Sequence, residues 1–182
     1  MSDEELIKGC IREDRSCQYQ LYKKFAGKMM AVCSRYARTQ LEAEDFLQEG
    51  FIRVFDNLEK FKFNGSFEGW IRRIMVNTAL KNYRKLSFQN EQIGIDDSYD
   101  AMDYDATVYD KMEEKELMNI IEQMPEGYKV VFNLFAIEGY SHKEIADSLG
   151  VNEGTSRSQL NKARKWLQKK MADKELKKLA QV

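Results

Sequence analysis

Three groups of residues in this chain have types and spacing able to do specific work, and in each case the work is binding rather than bond-making. Arg157, Ser158, Asn161 and Lys162 recur at i and i+4. That spacing lines side chains along one helix face, and these are side-chain types that reach base edges and phosphates in a DNA groove. Phe61-Lys-Phe-Asn-Gly-Ser-Phe-Glu-Gly-Trp70 joins turn chemistry at Asn64-Gly65 to an unusual number of aromatics, and runs into a segment carrying Arg72, Arg73, Asn77, Lys81, Asn82, Arg84 and Lys85. Glu44, Asp45, Gln48, Glu49 and Arg53 form a third group, an exposed polar stripe beside the apolar positions Phe46, Leu47, Phe51, Val54 and Phe55.

Catalytic chemistry finds little support. There is one histidine, and Cys10, Cys17 and Cys33 are odd in number, without the paired spacing of a zinc site. A nuclease would need clustered carboxylates at metal spacing and a deaminase a His/Cys zinc set. Neither is present, so the chain is read as a non-enzyme with no cofactor and no metal, its thiols reduced.

The elements that must position these groups are helical. Apolar residues recur at helical spacing nearly throughout, the alternation of half-buried strands is almost absent, and there is a single proline, Pro125. Ser2 with Glu5 predicts a capping box and a helix near Asp3 to Ile11. A second helix is expected over about 16–38 with Tyr19, Tyr22, Phe25, Met29, Val32, Cys33 and Tyr36 mostly in the core, a third over about 41–58 and a fourth over about 67–86. In the aromatic segment Phe61 and Phe63 lean towards the core, and Trp70 is balanced between core and a wedge against DNA. Periodicity resumes over 112–122, and Pro125 suits the first position of a helix from about Glu126 to Ile137, which Gly139 ends. Ser141-His-Lys-Glu144 is a second capping box. The short helix behind it stops at Gly150, and Asn152 can cap another starting at Glu153. Leu-Gly-Val-Asn between the two gives the turn of a helix-turn-helix, whose second helix enters the major groove.

Charge divides the chain more sharply than its net value of −1 suggests. Lys62 to Lys85 holds six basic residues against Glu68, and Gly154 to Lys178 holds nine against Asp173 and Glu175. Ser87 to Asp110 has no lysine or arginine but seven acids, and no periodic apolar face to offset its ordering entropy. The expected organisation is therefore all-α: a helical bundle over 1–87, a flexible acidic linker over 88–110, and a helix-turn-helix domain over 111–182. The opening Met-Ser-Asp-Glu-Glu lacks the positive flank and apolar run of a secretory signal, and no apolar run approaches the ~20 residues that span a bilayer. A cytoplasmic protein without direct membrane insertion is expected.

With the motifs in view, the chain resembles the extracytoplasmic-function (ECF) group of sigma factors in the sigma-70 family. Ala43-Glu-Asp-Phe-Leu-Gln-Glu-Gly-Phe-Ile-Arg-Val-Phe55 resembles the family's polymerase-binding helix. Ser66-Phe-Glu-Gly-Trp-Ile-Arg-Arg-Ile-Met-Val-Asn77 resembles its promoter-melting segment, and Tyr140 to Arg164 its C-terminal helix-turn-helix. The resemblance implies a factor that binds core RNA polymerase and directs promoter-specific initiation. On it, Asp45, Gln48 and Glu49 would meet the clamp helices of the largest polymerase subunit, with the flap of the second-largest subunit a further contact. Lys62, Asn64, Ser66 and Phe67 would hold a base flipped from the −10 element, with Trp70, Arg73, Asn77 and Lys81 along the same strand. Arg157, Ser158, Asn161 and Lys162 would read the −35 element, with Thr155 and Arg164 on phosphates. An anti-sigma factor is a further partner the resemblance admits.

Two departures are expected to matter. Ser156 stands where many members have an apolar residue and could loosen packing; Gln159 stands where many are basic and could alter base preference. The linker would thread the RNA path, as a phosphate mimic or as a plain spacer. The rival reading is a stand-alone repressor or activator with a helical sensor.

Overall fold

In the computed structural model, residues 2–89 and 114–179 are described, and all of their regular structure is helical. The chain divides into two compact units, Met1–Asn90 and Glu91–Val182. The expected linker over 88–110 lies almost wholly outside the described residues.

In the first unit, local signals set the helix starts. Ser2 Oγ accepts from Glu5 N–H (3.2 Å) while Ser2 N–H donates to the Glu5 carboxylate (2.7 Å), closing the capping box of α1 (Asp3–Ile11). Asp14 caps α2 (Arg15–Ser34) by accepting from Ser16 N–H at 2.8 Å, and Thr39 caps α3 (Gln40–Asp56) by accepting from Glu42 N–H at 3.1 Å. A 3₁₀ turn at Leu58–Lys60 and the aromatic segment lead to α4 (Phe67–Gln89), which takes up the first two residues of the expected linker.

The core gathers Ile7, Leu21, Phe25, Met29, Val54, Ile71 and Met75, all nearly inaccessible. Each such side chain contributes roughly 1.5–3 kcal/mol of burial. Gly50 lets α3 and α4 approach closely: a Cβ there would fall 2.1 Å from Met75 Sδ. The polar stripe of α3 and the basic face of α4 are thus fixed on one rigid body.

One expectation for α2 is corrected. Its buried face runs through Cys17, Leu21, Phe25, Met29 and Val32, and Tyr19, two residues from Leu21, falls on the opposite side. Tyr19, 65% exposed, is outside the core, and Tyr22, 39% exposed, stands at its margin with its ring 4.7 Å from that of the buried Phe51.

The second unit contains α5 (Glu114–Glu122), α6 (Glu126–Phe132), α7 (His142–Leu149) and α8 (Glu153–Leu179). Pro125 stands just outside α6 with φ −52° and ψ 138°, and its carbonyl accepts from Lys129 N–H at 2.9 Å. The expected continuous helix to Ile137 instead ends in a π-helical turn, Asn133–Ile137, in which Glu138 N–H reaches back to Asn133 O (3.0 Å). Gly139, at φ +74°, turns the chain towards α7. Ile120, Ile121, Met124, Tyr128, Ala163, Trp166, Leu167 and Met171 form one cluster of the core, and Leu134 and Ile145 are fully buried at the helix-turn-helix. α8 continues as helix well into the C-terminal tail, and no described helix is long and apolar enough to cross a membrane.

Candidate polymerase and nucleic-acid interfaces

On α3 the expected stripe faces outward unevenly. Asp45 and Gln48 are exposed, whereas Glu49 is half-buried and accepts from Arg53 at 2.5 Å one turn on. Sequence reasoning missed their apolar companions: Leu41 is 68% and Ile52 61% exposed. Leu41, Asp45, Gln48 and Ile52 follow one another by four, three and four residues. That is the spacing of a coiled-coil seam, here left exposed, with no helix over it among the described residues of the unit.

Between α3 and α4, exposed polar groups are mounted on an aromatic base. Phe61 and Phe67 are buried, their centroids 5.0 Å apart, and Trp70 stacks on Phe67 at 5.7 Å with 16° between planes. Phe25 of α2 meets Phe67 edge-on at 5.6 Å. This corrects the expectation for Phe67: only 6% exposed, it holds the segment in place and cannot offer its face to a base. Trp70 is half-buried, one face on Phe67, which resolves it towards support rather than wedge.

Phe63 reverses the expectation in the other direction, at 50% exposure. Lys62, Asn64 and Ser66 are exposed, and Ser66 also caps α4 by accepting from Gly69 N–H (3.2 Å). Arg73, Asn77 and Lys81 are exposed one turn apart along α4. The aromatic base also borders a cavity of ≈ 510 Å³ shared with α1 and α2, where Lys24 pairs with Asp3 and Lys28 with Glu68, each at 2.5 Å.

In the second unit the helix-turn-helix is built as its local chemistry dictates. Ser141 and Glu144 complete the capping box of α7, Gly150 ends it in the left-handed region (φ +72°), and Asn152 Oδ1 accepts from Thr155 N–H at 2.7 Å to open α8. Arg157, Ser158 and Asn161 are exposed on α8, while Lys162 is half-buried. Arg157 is held to Glu153 at 2.8 Å. Arg164 is exposed with its guanidinium 5.8 Å from the Phe135 ring centre, and the Thr155 hydroxyl donates to Asn152 Oδ1 at 3.1 Å.

Both expected departures acquire a different meaning. Ser156 is fully buried, but its Oγ lies 2.9 Å from Nδ1 of His142, so the polar atom is satisfied rather than loosening the packing. The His142 ring in turn stacks on Phe135 at 4.7 Å. Gln159 turns its amide inward: its Oε1 is buried without a hydrogen-bond partner, 3.9 Å from where a Cβ on Gly127 would stand.

Comparison with known proteins follows the same division into two units. The sigma-70 region 2 model matches residues 21–89, and the sigma-70 region 4 model matches 114–167. The ECF RNA polymerase sigma-E factor of Haemophilus influenzae is 29% identical over 185 residues, covering 94% of this chain and 96% of its own. The ECF RNA polymerase sigma factor SigW of Bacillus subtilis is 28% identical, covering 92% and 95%. Among solved structures, the sigma factor RpoE of Bartonella quintana, in a complex with the anti-sigma factor NepR, shares the fold with a TM-score of 0.50 at 18% identity, over 83% of this chain and 94% of its own. With both regions matched in order and relatives aligned end to end, the chain belongs to the ECF group of the sigma-70 family, the non-catalytic subunits that direct RNA polymerase to promoters.

Proposed function

We propose that the work is divided between the two units: the first docks on polymerase and captures the melted −10 element, and the second reads the −35 element as duplex. The α3 seam meets the clamp helices of the largest polymerase subunit, Leu41 and Ile52 supplying apolar ends to the polar contacts of Asp45, Gln48 and Glu49. Lys62, Asn64 and Ser66 contact an unpaired base, and Arg73, Asn77 and Lys81 follow the strand's phosphates, as basic tracks do for single-stranded DNA. Arg157, Ser158 and Asn161 face base edges in the major groove, with Lys162 and Arg164 closer to the phosphates. Linking the units raises the effective concentration of the second once the first is seated. Free DNA affinity is therefore weak. Residues 90–110 serve as the linker between these domains, the chain acts in the cytoplasm, and an anti-sigma factor covers it when it is inactive, as NepR accompanies the Bartonella relative.

The single observation carrying this reading is the unpartnered heptad-spaced face on α3, rigidly joined to the basic, aromatic-backed face of α4. A stand-alone repressor would need neither. Gln48→Ala combined with Glu49→Lys is expected to lower core-polymerase affinity at least tenfold in a pull-down titration. Unchanged affinity would remove α3 as the docking face.

A further inference from the structure

Phe63 combines three properties that folding alone does not explain. First, its backbone sits at φ +57°, in the left-handed region that a bulky side chain rarely adopts. Residue types that adopt it at little cost, Asn64 and Gly65, are the next two in sequence, yet the phenylalanine holds it. Second, the ring is half-exposed, so burial does little to offset that strain. Strain that persists without a packing return marks functional positions more often than structural ones.

Third, the ring is braced and surrounded for contact with an outside partner. Phe61 meets it edge-on at 5.1 Å and is itself packed on Phe67 and Trp70, so the exposed face is presented by a rigid stack rather than by a free loop. Lys60, Lys62, Asn64 and Ser66 around it are all exposed. The carboxylates lining the adjoining cavity, Asp3, Glu4 and Glu68, are already paired with Lys24, Lys8 and Lys28. A preset aromatic face ringed by cations and small polar groups is what an unpaired base stacks on while its phosphates meet lysines.

We propose that Phe63 is the stacking platform for an unpaired promoter base, a role the buried Phe67 cannot fill, and that its strained backbone is retained because it aims the ring outward. This rests on the reading that the first unit meets melted DNA, and the test separates the two.

A promoter is first selected by wild-type holoenzyme from a randomised DNA pool. Two probes of that promoter are then titrated: full duplex, and a fork whose −10 element is single-stranded. Wild type is expected to bind the fork more tightly than the duplex. Phe63→Gly should weaken fork binding about 5- to 20-fold, the low end for loss of one base–aromatic stack, and leave duplex and core-polymerase binding unchanged. Phe63→Trp should stay within about twofold of wild type. Because glycine accepts φ +57° freely, the thermal midpoint of Phe63→Gly should equal or exceed that of wild type, so stability and fork binding move apart.

Fork binding by Phe63→Gly equal to wild type would overturn the proposal while leaving the first unit's role intact. Equal weakening on fork and duplex together with a lowered midpoint would also overturn it, as the mark of a structural residue. No fork preference in wild type would overturn the underlying reading and this proposal with it.

Discussion

Replacing Ser156 and His142 singly and together measures how the reading helix is held against α7. The bond between His142 Nδ1 and Ser156 Oγ joins the first turns of the two helices, with one end fully buried and the other half-exposed. Ser156→Val removes the bond, but the imidazole can turn to water, so the loss is that of one ordinary hydrogen bond, about 1 kcal/mol. His142→Phe keeps a ring on Phe135 but strands the buried hydroxyl, which costs about 1–3 kcal/mol. The lower end holds if the hydroxyl falls back on the Asn152 carbonyl one turn earlier. Replacing both partners by apolar groups leaves nothing unsatisfied, so the double variant should lie within about 0.5 kcal/mol of wild type, a coupling of roughly 1.5–4 kcal/mol. Urea unfolding followed by Trp166 fluorescence, in a Trp70→Phe background that silences the other tryptophan, reads the second unit alone. Additive losses in the double variant would refute the bond as the tie between the two helices.

Glycines on the same bundle should respond in opposite directions. Gly27→Ala meets no atom within 4 Å on an exposed helix position and should stabilise the first unit by about 0.5–1 kcal/mol. Gly9→Ala would place its Cβ 2.2 Å from Cys17 Sγ and 2.8 Å from Cys17 Cβ, and should destabilise by about 1–3 kcal/mol, both changes being read by urea unfolding followed by Trp70 fluorescence in a Trp166→Phe background. Burial pushes the Cys10 thiol up to about 11 and the Cys33 thiol up to about 12. Between pH 9 and those values the unfolded chain has released protons that the native state keeps, so stability is full below pH 9 and falls as pH rises towards 12. Cys33→Ala should make that alkaline decline shallower in a pH series of unfolding midpoints.

What could be read from the sequence was what neighbours in sequence decide. Both capping boxes, Ser2 with Glu5 and Ser141 with Glu144, involve residues three apart, as does the cap that Asn152 gives Thr155. The helical phase that exposes Asp45 and Gln48, or Arg157 and Asn161, is likewise set within two turns of chain.

What escaped depended on partners distant in sequence. Phe67 is buried because Phe25 of α2 covers it, which turns the exposed aromatic role over to Phe63. Ser156 finds its partner fourteen residues back, and Gln159 turns inward towards Gly127 of α6. The exposure of Leu41 and Ile52 shows only when the rest of the unit leaves them uncovered. A hydrophobicity pattern alone assigns such residues to a core.

The account stands most directly on transcription by purified core RNA polymerase from a pool of promoter fragments, with and without this chain. It predicts discrete start sites that appear only with the chain present. They should be lost when Gln48→Ala and Glu49→Lys remove docking, and sharply reduced when Arg157 and Asn161 are both replaced by alanine. Start sites independent of the chain, or tight operator binding by the free chain with no stimulation of polymerase, would contradict it.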